Sequence, residues 1–306
     1  MVQTAVDVEH VGPLPETSPV DRPAPRRWPM VRFLLHNKVG AVGFVILFCF
    51  VLLAIFGPIV TSGEQRTDVT QIYSSPSRDH PLGTDYAGHD VLTMVVRGAR
   101  SVMVVGALAA LISTVIAVTV GALAGLVGGW FDSFVLTITD VVLTVPYIIL
   151  LGVLAAYVRL DTPYLLALII ASVAWPTLLR AVRAQVLSLK EREYVEAARV
   201  LDLGTANILF REVLPNMMSY IVINFVIAMT NAIYGQLILY FLGLVPLSGD
   251  NWGLMINLAY TRGALFFKDS LWYILSPIIA ISLLQLSLVM ITRSLEDVFN
   301  PRLRSG

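Results

Sequence analysis

EYVEAARVLDLGTANILFREVLPN, residues Glu193 to Asn216, is a charged, helix-prone island between long apolar runs. If the flanking runs cross a membrane, the island is held at one surface, where such a segment commonly has a partner. From Ser188 to Leu201 the residues favour a helix: Lys190, Glu191, Arg192, Glu193, Glu196 and Arg199 are good formers, and Ala197 and Ala198 are the best. Gly204 is a natural stop, and Thr205 can cap a second short helix, 206–214. That helix is expected to end at or before Pro215. The predicted shape of 188–215 is therefore helix, turn, helix. Ala197 and Ala198 would let another surface approach the backbone, Tyr194 and Val195 would offer apolar area, and Glu193, Glu196 and Arg199 would supply charge. The same composition also suits an interfacial amphipathic helix that touches nothing else, and the residues alone leave both readings open.

The flanking runs do read as membrane spans. Of 306 residues 57% are hydrophobic and 14% charged, with a mean hydropathy of +0.77; an average soluble domain carries about 25% charge. Net charge is zero, so no overall field recruits nucleic acid. A span needs about 20 apolar residues, and six segments qualify: Val39–Val60, Ser101–Val127, Phe134–Val158, Tyr164–Val186, Met218–Leu244 and Leu271–Thr292. Gly121, Pro146, Pro176, Gly235 and Pro277 fall inside them, which membranes tolerate. A two-residue alternation is absent, which argues against a β-barrel. The fold class expected is all-α and polytopic. The single cysteine, Cys49, lies in the first run and can form no intrachain disulfide.

Basic residues are about twice as frequent on segments that share the N-terminal side as on the others, which places both termini and the hairpin in the cytoplasm. The expected organisation is a cytoplasmic tail (1–38), a first span (39–60), an extracytoplasmic loop (61–100), a five-helix core (101–292) carrying the hairpin, and a cytoplasmic tail (293–306). In the loop, HPLGTDYAGHD (80–90) is turn-rich, and Asp90 can cap a helix Val91–Arg100 lying on the outer surface. A metal site from His80, Asp85, His89 and Asp90 is conceivable, but turn and capping roles already account for both carboxylates, so no metal is expected. GGWFD (128–132) and VRLDTP (158–163) are short turns that make their flanking spans antiparallel neighbours.

No catalytic set and no phosphate-binding glycine loop appear, so the chain is not read as an enzyme, and any ATP would belong to another polypeptide. Polar residues within spans are the remaining clues. Asp140 reads either as part of a path or gate or as a partner for Arg180 or Arg183. Asn224, Asn231 and Gln236 can share one stripe of the fifth span, with Tyr240 beyond it; the stripe either lines a path, the preferred reading, or bonds neighbouring helices together.

Glu196-Ala197-Ala198, with Ile208-Leu209 and Leu214-Pro215 downstream, resembles the EAA loop of ABC-importer permeases. HPLGTDYAGHDVLTMVVRGAR, Gly128-Gly129-Trp130 with Asp132, Trp175-Pro176, Phe241-Leu242-Gly243-Leu244, Trp252-Gly253 and LEDVFNPRLR resemble the peptide, nickel and oligosaccharide uptake subgroup, of DppC/OppC type. The resemblance spans about Arg32 to Arg304. It implies a type I permease fold in the inner membrane, with a coupling helix that docks on an ATP-binding subunit through Glu193, Tyr194, Glu196, Ala197, Ala198, Arg199, Asp202 and Gly204. It also implies a homologous second permease, two ATP-binding subunits that hold ATP and Mg, an extracytoplasmic solute-binding protein and surrounding membrane lipid; the chain itself would bind no cofactor and no nucleic acid. Asp140, Asn224, Asn231, Gln236 and Tyr240 are the expected path residues. Four positions depart from the family pattern: Asp202 stands at its glycine, His89 at its arginine, Gln236 at an acidic position and Tyr240 at a serine. Short peptides are the first expectation for cargo. Oligosaccharide is second, because Gln236, Tyr240, Trp252 and Tyr260 could offer neutral hydrogen bonds and aromatic faces; nickel is third. A secondary transporter and a membrane scaffold are the readings from other classes.

Overall fold

The computed structural model describes residues 38–62, 67–246 and 249–299. The tail expected before Lys38 and the C-terminal residues 300–306 lie outside them. The described chain is helical: α1 Lys38–Val60, α2 Val91–Val127, α3 Gly129–Thr144, α4 Tyr147–Tyr157, α5 Pro163–Leu189, α6 Glu193–Val200, α7 (205–216), α8 Met218–Phe241, α9 Trp252–Thr261 and α10 Leu271–Phe299. Among the described residues the only β pairing is an isolated bridge, Thr84 to Asp90. Helices α1, α2, α5, α8 and α10 are each long and apolar enough to cross a membrane, and α3 and α4, bent by 88° at their break, are so only when taken together.

That bend corrects the expectation of one unbroken helix over Phe134–Val158. Proline removes a backbone donor and clashes with the preceding turn, and the chain stops being helical at Val145–Pro146. A second correction concerns the segment 61–100. No separate interfacial helix covers Val91–Arg100, because those residues are the first turns of α2, a continuous helix of 37 residues. At 1.5 Å per residue α2 is about 55 Å long, nearly twice a hydrocarbon core. Its first turns therefore project beyond the membrane while sharing one backbone with the span.

Helix α2 is the spine, packing along α5, α8 and α1. Its buried residues include Gly106, Ala110, Ser113, Ala117 and Gly121, a near-regular series of small side chains. In lipid, helices associate through close packing rather than through loss of water, and small residues allow it. On α1 the buried positions Gly40, Gly43, Phe50, Ala54 and Gly57 recur at helical spacing, and the rest of that helix is largely exposed.

Helix α9 is sunk into the end of the bundle away from the hairpin. Trp252 is fully buried and its indole N–H donates to Val95 O at 2.9 Å; Asn257 Nδ2 donates to Phe241 O at 2.7 Å, and Asn251 Nδ2 to Ser101 Oγ at 3.1 Å. Trp252 is thus a structural anchor, not the accessible aromatic face that the oligosaccharide reading gave it.

The described part of the loop between α1 and α2 is tied down by its turn residues. The Asp85 carboxylate accepts the N–H groups of Ala87 and His89, both at 2.8 Å. Asp90 caps α2 through Thr93 N at 2.8 Å. Thr70 donates its hydroxyl and amide to Asp68 and holds that carboxyl below its ordinary range. His80 lies 3.2 Å from Asp90, and His89 lies 3.2 Å from Asp85. The four side chains considered for a metal therefore form two separate pairs, and among the described residues no three His, Cys, Asp or Glu side chains group around a common point. Arg97 bonds the Thr61 carbonyl and hydroxyl and lies 3.9 Å from Asp250. Burial pushes the Asp250 carboxyl up, against the opposing pull of Arg97 and His89.

Candidate functional site

The helix expected over Ser188–Leu201 is two helices. Helix α5 ends at Leu189, a turn follows, and α6 begins at Glu193. Glu193 and Glu196 lie in the first turn of α6 and Arg199 in its last, each on the end where the helix dipole favours its charge.

Helix α6 lies against the bundle by one face. Val195 and Ala198 are buried at 0% and 4% exposure, in a cluster with Val182, Val186, Leu209, Val213 and Met217. Val195 thus offers no area to a partner and Ala198 no close approach, which corrects half of the expected contact face. The outward face carries Glu193, Tyr194, Glu196, Ala197 and Arg199. Beside them stand three residues that sequence reasoning did not single out. Val200 and Leu201 are 86% and 71% exposed, and Phe210 on α7 is 60% exposed. The signal was an apolar pair directly after Arg199, with no room for it on the inward face that Val195 and Ala198 occupy.

The turn between α6 and α7 is made by Asp202. Its φ is +52°. Leu203 N donates to Ala198 O at 3.1 Å and Asp202 N to Arg199 O at 2.9 Å. This is the paired closure that satisfies the last carbonyls of a helix and puts one residue in the left-handed region. The end of α8 has the same pattern with glycine: Leu244 N donates to Leu239 O and Gly243 N to Tyr240 O, both at 3.0 Å, and Gly243 has φ +71°. Gly204, expected to make the stop, has φ +15° and sits just before α7. Thr205 begins α7 and makes no cap; α7 is a π-helix over Ile208–Val213 and carries on through Pro215 to Asn216. The wider π turn, with Leu214 N donating to Leu209 O, leads the chain into Pro215 instead of ending before it.

Above the hairpin, two ion pairs join α3 to α5. Arg183 binds both carboxylate oxygens of Asp132, and Arg180 binds Asp140. The first pair is sheltered, with side chains 22% and 15% exposed, and the second is open, at 46% and 61%. Asp140 is thus the partner of Arg180.

The expected polar stripe on α8 divides. Asn231 is exposed and borders a cavity, while Asn224 is half-buried and donates to Tyr220 O at 2.9 Å in its own helix. Gln236 is fully buried between α8 and α2, donating to Val102 O at 2.9 Å. Five residues turn a helix by about 140° from Asn231, so Gln236 faces the spine and cannot share Asn231's surface. Tyr240 is likewise buried, packed over Gly253 of α9.

The chain is similar to known proteins over most of its length. Residues 117–305 match the family described as the inner membrane component of binding-protein-dependent transport systems. Residues 28–76 match the N-terminal transmembrane domain of oligopeptide transport permease C. The dipeptide transport system permease protein DppC of Alkalihalophilus pseudofirmus is 32% identical, over 97% of this chain and 99% of its own length. The protein of the same name from Bacillus subtilis is 34% identical, over 89% of this chain and 85% of its own.

Proposed function

We propose that this chain, which belongs to the family of inner membrane components of binding-protein-dependent transport systems, forms one half of the path by which an ATP-driven importer takes up short peptides. The similar dipeptide permeases support peptide as cargo. A homologous permease supplies the other half. Two ATP-binding subunits hold the ATP and Mg, and an extracytoplasmic binding protein delivers the cargo. Both termini and the hairpin are cytoplasmic.

The observation that carries this reading is the hairpin's two-sidedness. Val195 and Ala198 fix α6 to the bundle, and the opposite face presents Tyr194, Ala197, Val200, Leu201 and Phe210 with charge at its edge. Apolar side chains beside charges, on a helix projecting at a membrane surface, make an interaction face. Closure of the ATP-binding subunits moves α6, which packs on the π segment of α7, and the apolar cluster these share with Val182 and Val186 passes the movement to α5. The Asp132–Arg183 and Asp140–Arg180 pairs pass it on to α3. Replacing Glu196 with Lys and Ala197 with Trp in the reconstituted complex tests this. Peptide-stimulated ATP hydrolysis and uptake are lost while the chain still inserts. Retained coupled uptake would contradict the proposal.

A further inference from the structure

The break between α3 and α4 lies deep in the membrane-spanning region. Helix α3 has 16 residues, about 24 Å of rise. Facing the break are Thr177, 14 residues into α5, and Tyr234, 16 residues into α8; both lie about 21–24 Å from their helix starts. A helix that stops leaves its last four carbonyls without intrahelical donors. Thr144 turns its hydroxyl back on the Asp140 and Val141 carbonyls. Pro146 has no N–H to give, and its own carbonyl takes the amides of Ile149 and Leu150. Thr144, Val145 and Pro146 are all exposed. Lipid cannot solvate such backbone, so it persists at this depth only against protein or against water.

Behind the break is a cavity of about 490 Å³, bordered by Pro146, Tyr147, Thr177, Asn231, Tyr234 and Gly235 among others. Tyr147 Oη, within this wall, is buried and makes no hydrogen bond among the described residues. None of the residues bordering the cavity bears a carboxylate, imidazole or thiol, so the wall does not ligate a metal ion. Its polar groups are an amide and three hydroxyls, all neutral. The Asp140–Arg180 pair lies one helical turn to the hairpin side, three residues from Leu143 and from Thr177 respectively.

Resting on the reading of the chain as a permease subunit, we propose that the break and this cavity are its wall of the translocation path. Asn231, Tyr234 and Thr177 hold cargo there by neutral hydrogen bonds to the amide groups of an extended peptide backbone. Such contacts accept peptides of varied side chains, because they address what all peptides share.

The test uses the complete transporter in proteoliposomes with Cys49→Ser as background and single substitutions Thr177→Cys, Asn231→Cys and Tyr234→Cys. Leu111→Cys and Val115→Cys, exposed on α2, serve as lipid-side references. The probe is a charged, membrane-impermeant methanethiosulfonate. Water access raises thiolate reactivity, so the three wall positions are expected to react about tenfold faster or more than the references, and a peptide delivered by the binding protein slows them. Wall positions as slow as the references in every nucleotide state would overturn the inference. Peptide-stimulated ATP hydrolysis, measured on the same preparations, reports separately on the permease reading. If stimulation is intact and labelling fails, only the location of the path is wrong.

Discussion

Arg183 sets two nitrogens of its guanidinium on the two carboxylate oxygens of Asp132, clamping the first turn of α3 to α5 less than two turns before α5 ends. Two parallel charge-assisted bonds fix orientation as well as distance. The contact lies between the hairpin and the bent span, so the coupling proposed above is expected to weaken when it is broken.

Losing one member of a sheltered pair strands the other charge. Asp132→Asn is expected to cost about 2–3 kcal/mol, less than at a fully buried pair because both groups keep some water. Asp140→Asn, at the open pair, should cost under about 1 kcal/mol. Thermal unfolding in detergent checks the order of the two losses, and the reverse order would show that the clamp is misplaced.

Asp202 occupies a left-handed position that L-residues enter at a cost of about 1–2 kcal/mol. Asp202→Gly should tighten the hairpin turn by about 1 kcal/mol, and Gly243→Ala, at the matching turn after α8, should lose a similar amount. Hydrogen exchange at the Leu203 amide, bonded to Ala198 O, should slow in Asp202→Gly. Unchanged exchange would mean that the turn is set by its surroundings.

Gln236 bonds the Val102 carbonyl through Nε2, and its Oε1 is buried without a partner among the described residues. Gln236→Met keeps the volume and removes that orphan, so stability should stay within about 1 kcal/mol. Uptake and cargo preference should be unchanged. Altered preference would place Gln236 on the path after all.

Gly235 and Tyr147 meet where α8 passes α4: a Cβ at Gly235 would lie 2.7 Å from Tyr147 Oη. Gly235→Ala should destabilise by about 1–3 kcal/mol through overpacking. Tyr147→Phe removes the opposing oxygen, so the double variant should recover part of the loss in a double-mutant cycle. Strict additivity would show that the two do not touch.

The spans were legible because hydropathy and length suffice to find them, and the hairpin was legible as a charged interruption. The bend was not. Pro58, Pro176 and Pro277 lie inside unbroken helices while Pro146 divides one, and nothing local to the four prolines ranks them, since neighbouring helices decide which freed carbonyls are satisfied. Hydropathy does not show the union of Val91–Arg100 with the second span, because Arg97 and Arg100 interrupt the apolar run. On α6 the charges marked the segment, but which face turns inward depended on the pocket formed by Val182, Leu209 and Met217, residues far apart in sequence. Gln236 and Asn231 look alike in composition, and only their angular separation on α8 distinguishes seam from cavity.

The central claim is that the outward face of α6 is covered by an ATP-binding subunit in the working assembly. The direct measurement places the only cysteine at Ala197, in a Cys49→Ser background, and follows its reaction with a small thiol reagent in the chain alone and in the complete transporter. The account predicts rapid labelling alone, strong protection in the assembly, and a cross-link to the ATP-binding subunit when a bifunctional reagent is used. Equal labelling in both, with no cross-link, would contradict it.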